Sequence, residues 1–86
     1  MLSIRFVGLA DGRPYPGFDG KYIAEVGDID NINTWLLTNN IAEAKVFEDY
    51  ITAIAFYKWQ SSLTPMRPDG KPNRPLTAFT VVFENV

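Results

Sequence analysis

The chain has 86 residues, a formal net charge of −2, and neither cysteine nor histidine. Its length leaves room for one hydrophobic core, so we expect a single domain over residues 1–86. The missing residue types exclude disulfides, thiolate nucleophiles, histidine bases and zinc sites built from nitrogen and sulfur ligands.

The first part of the chain predicts two or three strands. Polar and apolar residues alternate from Leu2 to Leu9 and again from Lys21 to Val26, which predicts an antiparallel pair of strands. The prolines and glycines of residues 10–20 predict a long loop between them. Thr34 to Leu37 is a short apolar run, and its pattern leaves open whether it forms a third strand.

Two helices are predicted in the middle of the chain. Asn40 and Glu43 have the spacing of a capping box, so a short helix should run from Ile41 to about Val46. Acidic residues favour the positive end of a helix, and Glu48-Asp49 therefore predicts the start of a longer helix that extends to about Ser61.

The longer helix has two apolar faces. A rotation of about 100° per residue gives these two sets: Tyr50, Ile51, Ile54 and Tyr57; and Ala55, Phe56 and Trp59. One face must cover the sheet, which leaves the other for the rest of the core, a second copy or a partner. Phe56 and Trp59 are therefore candidate partner-binding residues. The alternative is that they close a second layer of the small core.

The end of the chain predicts an extended connection followed by a strand. Leu63 to Pro75 contains four of the six prolines and cannot form a helix or an inner strand. Leu76 to Glu84 is apolar on both sides, which is typical of a strand in the middle of a sheet. The predicted fold class is α+β: a small, mainly antiparallel sheet of three to four strands, with one short and one longer helix packed on one face.

The connection also carries a local positive charge. Arg67, Lys71 and Arg74 are opposed there only by Asp69, so these three basic residues are candidates for partner binding. Nucleic-acid binding by the loop of residues 65–75 is an alternative, although the loop lacks the aromatic residues that stack on bases. Solvated charges on a loop would give the same sequence pattern.

No residues suggest catalysis, a cofactor or a metal. Glu43, Glu48 and Asp49 lie close in sequence, but their positions are typical of charges at helix starts. The residues from Asp28 to Asn31 resemble the start of a calcium loop, yet Ile32 stands at the next ligand position and the required glycine is missing. We therefore expect a protein that is not an enzyme.

One segment resembles a known group of sequences. Residues 67–81, RPDGKPNRPLTAFTV, are similar to the carboxy-terminal segment of small uncharacterised proteins encoded by bacteriophages and prophages. In those proteins a helix with residues like Ala55-Phe56-Tyr57 precedes the segment, and residues like Gly20-Lys21-Tyr22 open an earlier strand. The resemblance covers about residues 47–82. It implies a phage or prophage origin and brings no activity, cofactor or binding residue with it.

These observations predict a non-enzymatic phage or prophage accessory protein that binds another protein, either a second copy or a host or phage factor. The alternative is a nucleic-acid-associated protein that uses the basic loop, although the negative net charge makes nucleic acid a poorer partner. No apolar run reaches the roughly 20 residues that span a bilayer. Arg5 interrupts the apolar amino-terminal stretch, so we expect no signal peptide, a cytoplasmic location in the bacterial host and no membrane contact.

Overall fold

Four strands form one antiparallel sheet. They are β1 (Leu2–Leu9), β2 (Tyr22–Val26), β3 (Trp35–Thr38) and β4 (Phe79–Asn85), in the spatial order β3-β2-β1-β4. The computed structural model describes all 86 residues. The α+β class, the first two strands and their antiparallel pairing are confirmed. The apolar run at Thr34 to Leu37 also gives a strand, shifted by one residue.

The predicted short helix is a single turn. A 3-10 helix covers Ile41–Glu43, with the Asn40 side chain accepting a hydrogen bond from the backbone of Ala42. The prediction of a helix to Val46 was wrong because the chain is then drawn to the sheet. The Lys45 N–H donates to the Ile23 carbonyl, and Phe47 exchanges two backbone hydrogen bonds with Leu2.

The longer helix, α1 (Tyr50–Tyr57), is shorter than predicted. Its start is capped by Asp49, whose carboxylate accepts a hydrogen bond from the Thr52 N–H at 2.8 Å. This bond lowers the pKa of Asp49 below its ordinary value. The helix ends before Ser61 because the Ser61 N–H is held by the Asn73 carbonyl at 2.7 Å. No helix in the protein is long and apolar enough to cross a membrane.

The face of α1 that covers the sheet differs from both predicted stripes. Ala53 is completely buried, and Phe56 and Tyr57 beside it are half-buried against the core. Ile51, which belongs to the first of these stripes together with Tyr50, Ile54 and Tyr57, is 81% exposed. The small alanine lets the helix backbone approach β1, and the larger side chains then lie on the flanks of this contact.

Strand β4 lies at the edge of the sheet, so the prediction of a central strand was wrong. It pairs with β1 alone, and β2 occupies the other side of β1. A 3-10 turn covers Pro75–Ala78 and so includes the first three residues of the predicted strand, which was expected to begin at Leu76. The apolar residues on one side of β4 are explained by the core, to which Phe79, Val81 and Phe83 contribute.

The core lies between the sheet and α1, and aromatic side chains close it at one end. Phe6 is completely buried, and its ring lies 5.1 Å from Phe79 and 5.2 Å from Phe18. Phe18 comes from the loop between β1 and β2 and stacks on Phe79 with an interplanar angle of 11°. A loop residue thus supplies part of the core, and it fixes the loop over the end of the sheet.

Gly8 allows a bulge in β1. The register with β4 shifts between Phe6 and Gly8, where Gly8 has φ +134°. A Cβ at Gly8 would lie 3.1 Å from the Arg13 carbonyl oxygen, whereas a Cβ at Gly12, with φ +89°, would meet nothing within 4 Å. Both positions are unfavourable for residues with a side chain.

We therefore expect Gly8→Ala to lower the free energy of unfolding by about 2 kcal/mol and Gly12→Ala by about 1 kcal/mol, because only the first adds a clash to the backbone strain. Urea unfolding of the two variants measures the difference. Equal losses would show that the contact with the Arg13 carbonyl is relieved at no cost.

Candidate functional site

Two neighbouring cavities are lined by residues of the segment from Asn73 to Phe79. The cavities have volumes of about 370 Å³ and about 480 Å³, and Asn73, Pro75 and Ala78 lie in the walls of both. Each has a volume in the range of ligand-binding pockets. We call the two together the Asn73 groove. Its two ends differ in chemistry.

The first end of the Asn73 groove is basic. Arg67 and Arg74 are the charged residues in the wall of the smaller cavity. Arg67 is exposed and forms an ion pair with Asp69, with 3.2 Å between the guanidinium and carboxylate atoms. Arg74 is half-buried, and its Nε has no hydrogen-bond partner within the chain.

The second end of the Asn73 groove is apolar. The larger cavity is lined by Ile29, Ile32, Trp35 and Phe79, together with Asp30. Trp35 and Phe79 are mostly buried. Their ring centroids lie 6.0 Å apart in an edge-to-face arrangement. The Trp35 indole donates a hydrogen bond to the Asp28 carbonyl at 3.1 Å, which fixes the ring. This end offers a preformed apolar surface.

Hydrogen bonds join the two walls of the groove. The Asp30 carboxylate accepts bonds from the Ser61 hydroxyl, the Ser62 N–H at 2.9 Å and the Leu63 N–H at 3.1 Å. The adjacent Ser61 N–H donates to the Asn73 carbonyl, and the Asn73 side chain donates to the Thr64 carbonyl at 2.8 Å. The segment between α1 and the groove therefore connects the wall that contains Asp30 to the wall that contains Asn73.

This junction should make stability depend on pH. The hydrogen bond from Ser61 lowers the pKa of the Asp30 carboxyl, and the bonds from Leu63 and Ser62 add to this effect, whereas partial burial opposes it. A lowered folded-state pKa contributes stability above the unfolded-state pKa, and this contribution is lost as the pH falls through the folded-state value.

Acidification from about pH 6 to about pH 3 is therefore expected to lower the melting temperature. Asp30→Asn should melt lower than the wild type near neutral pH and show a smaller fall, because this carboxylate is gone. Circular dichroism melts of both proteins across this range measure the two slopes. Parallel curves would show that the Asp30 junction does not respond to pH.

The structure brings together some of the sequence-predicted site residues and separates others. Arg67 and Arg74 line the same cavity. Lys71 is exposed in the turn that follows Arg67 and lies outside both cavity walls. Phe56 and Trp59 lie elsewhere, half-buried against the core, with their ring centroids 5.7 Å apart. Their packing corresponds to the second core layer that the sequence left open as an alternative.

Several groove residues were not singled out from the sequence. Trp35 gave only a strand signal and Asn73 only a loop signal, since neither lies in a chemical motif. Asp30 was considered within an incomplete calcium loop, and its carboxylate instead binds the segment after α1. The Asp and Asn residues of this turn indicated an ordered loop. They could not indicate the partner of Asp30, because Ser61 lies 31 residues further along the chain.

A second polar cluster lies on the sheet face opposite the core. The Glu84 carboxylate accepts hydrogen bonds from Arg5 at 2.5 Å and from the Tyr22 hydroxyl at 2.6 Å. These bonds lower the pKa of Glu84, and the bond to Glu84 raises the pKa of Tyr22. One carboxylate thus binds side chains from two neighbouring strands. The cluster therefore ties β2, β1 and β4 together across the open face.

Comparisons with protein-family models, with curated proteins and with solved structures find no match for this chain. The geometry of the Asn73 groove and the chemistry of its side chains are therefore the basis of the functional proposal.

Proposed function

We propose that this protein is a non-enzymatic accessory protein of a bacteriophage or prophage, and that it binds a segment of another protein in the Asn73 groove within the bacterial cytoplasm. The observation that carries the proposal is the presence of two arginines, Arg67 and Arg74, in the wall of one cavity beside a second cavity with a mainly apolar wall. A binding function needs no catalytic group. The phage origin is supported by the resemblance of residues 67–81 to phage and prophage sequences.

The chemistry of the groove indicates what the segment carries. A carboxylate at the basic end would accept hydrogen bonds from the Arg74 guanidinium, which is suited to planar anions. A large apolar side chain at the other end would contact Trp35 and Ile32, of which Ile32 is 41% exposed. We therefore expect the bound segment to combine an acidic residue with a leucine or an aromatic residue a few positions away.

A defined peptide tests this proposal. The probe is an acetylated and amidated pentapeptide with one leucine and two glutamates, and its control carries two lysines in place of the glutamates. Isothermal titration or fluorescence of the tryptophans measures the dissociation constant. The acidic peptide should bind and the lysine peptide should not, because the charged groups in the smaller cavity are both arginines.

Two variants that each remove one positive charge distinguish peptide binding in the groove from binding by the basic loop. Arg74→Gln should weaken binding of the acidic peptide by about tenfold or more, the value of one hydrogen bond to a charged group. Lys71→Gln, outside the cavity walls, should change it by less than about threefold, as for an exposed charge. Melting curves of both variants establish that each is folded.

Two other results would overturn the proposal. Equal losses from Arg74→Gln and Lys71→Gln would mean that the peptide responds to general charge rather than to the groove. Binding of single-stranded DNA that falls steeply with added salt and depends on Lys71 would move the function to nucleic acid, which the basic loop of residues 65–75 would then contact.

A further inference from the structure

The outer edge of β4 has free backbone groups. In β1, the Leu2 and Phe6 N–H groups donate to Phe47 and Lys21, away from β4. The backbone groups of successive residues point to alternate sides of a strand, so the N–H and C=O groups of Ser3 and Arg5 point toward β4. Their partners there are Glu84 and Val82. The N–H and C=O groups of the intervening residues Val81, Phe83 and Asn85 consequently point outward, and no strand lies beyond them.

The free edge has a defined end. At Phe79 the outward carbonyl accepts a hydrogen bond from the Tyr57 hydroxyl at 2.5 Å, and the N–H donates to the Leu76 carbonyl. The backbone of Phe79 is therefore already satisfied within the chain. The open part of the edge begins at Val81 and includes Phe83.

This edge lacks the features that commonly prevent an edge strand from pairing with another chain. Natural edges are commonly short, or carry lysine, proline or unpaired charges. β4 has seven residues, FTVVFEN, with no lysine, glycine or proline. Its one charged residue, Glu84, is bound by Arg5 and Tyr22. The other edge strand, β3, has only four residues.

We propose that β4 pairs with β4 of a second copy of this chain, antiparallel and about a two-fold axis, so that two four-stranded sheets become one. The register places Val82 opposite Val82 of the second copy. Val81 of each copy then exchanges backbone hydrogen bonds with Phe83 of the other. This inference is independent of the Asn73 groove.

The charges and polar residues of β4 favour this register and a second copy of the chain as the partner. With the two Val82 side chains facing each other, Thr80 lies opposite Glu84 of the second copy, so polar groups meet polar groups. Shifting the register by two residues in one direction puts Glu84 opposite Val82, and a further shift of the same size puts the two Glu84 carboxylates opposite each other, which is destabilising. A shift of two residues in the other direction puts Phe83 opposite Phe79, whose carbonyl is already bound by the Tyr57 hydroxyl. The register about Val82 avoids these mismatches and is symmetric, as a two-fold interface requires.

The surface of α1 beside this edge also favours a second copy of the chain as the partner. Tyr50 is 57% exposed although its ring meets Phe83 edge-on at 5.2 Å, so an apolar surface of α1 continues from the core face of β4. A two-fold axis through the strand pair places α1 of both copies on the same side of the joined sheet. A second copy thus brings an apolar helix to this surface together with the strand, which an isolated extended peptide would not.

The protein has no cysteine, so disulfide trapping tests the register directly. In the proposed pair the two Val82 residues form a non-hydrogen-bonded antiparallel pair with Cα atoms about 4.5 Å apart, within the range of about 4.4–6.8 Å that a disulfide spans. Under mild oxidation Val82→Cys should form a linked dimer at least about tenfold faster than Leu36→Cys, which lies on the exposed side of the other edge strand.

Sedimentation equilibrium of the unlinked protein completes the test. The wild type should dimerise with rising concentration, and Val82→Lys should weaken the dimer by at least about tenfold because it places two like charges opposite each other. A wild type that stays monomeric at the highest concentration, or equal rates of linkage for the two cysteine variants, would overturn the proposal. Arg74→Gln should leave the dimer unchanged. A negative result for the dimer would therefore leave the groove proposal standing, and the reverse also holds.

Discussion

Phe6→Ala is expected to lower the free energy of unfolding by about 3–5 kcal/mol. The Phe6 ring is completely buried and contacts Phe18 and Phe79, so its removal leaves a cavity among aromatic rings that cannot collapse onto it. A chain of this length has a total stability of about 4–13 kcal/mol. The loss is therefore a large share of the total, and at the lower end of this range it would leave much of the variant unfolded at room temperature.

Urea unfolding followed by circular dichroism measures this change. The matched control is Phe83→Ala, which removes the same atoms from a half-buried position on the same face of the sheet. The control should lose about half as much or less, because part of the ring is already in contact with water. Similar losses for the two variants would contradict the position of Phe6 at the centre of the core.

Leu76→Ala is expected to cost about 2–5 kcal/mol and also to weaken the groove. Leu76 is completely buried in the 3-10 turn Pro75–Ala78, which forms part of the groove wall. Its side chain anchors this wall to the core. Loss of the anchor should let the wall move relative to Trp35 and so reduce the affinity for the acidic pentapeptide.

The exposed residue Leu63 provides the control for Leu76. Its side chain is 80% exposed, so Leu63→Ala should change the free energy of unfolding by less than about 0.5 kcal/mol. Thermal melts give the stability, and the pentapeptide titration gives the affinity of the folded fraction. A Leu76→Ala protein with wild-type stability would show that the turn is held by its backbone bonds alone.

Much of the fold could be predicted from local sequence. Alternation found β1 and β2 because each has one face on the core, and the acidic residue Asp49 marked the start of α1 through a bond to its own first turn. The errors arose where distant parts of the chain interact. Sequence alone could not show that Phe47 would pair with Leu2, which ended the short helix early.

The edge position of β4 has a similar explanation. Its apolar residues on both sides predicted contacts with apolar neighbours on two faces and a central position in the sheet, and the central position was wrong. The structure supplies these contacts on one side only, through Phe79, Val81 and Phe83. The remaining apolar side and the open backbone edge motivate the inference of a second copy.

The candidate site was only partly visible in the sequence. Arg67 and Arg74 were identified by the local excess of positive charge, and both lie in the groove. Trp35 was not, because its proximity to the basic segment depends on the pairing of β3 with β2 and on the bonds from Asp30 to the residues after α1. Only the folded chain brings these elements together.

The most direct test of the groove is the NMR signal of the Arg74 Nε–H in a titration with the acidic pentapeptide. Arg74 lies in the wall of the basic end of the groove, so a carboxylate bound there should shift this resonance strongly. The Trp35 indole signal should move with the same half-saturation while the Trp59 indole stays unchanged. An Arg74 signal that stays fixed while the peptide shifts resonances elsewhere would contradict the proposal that this groove is the binding site.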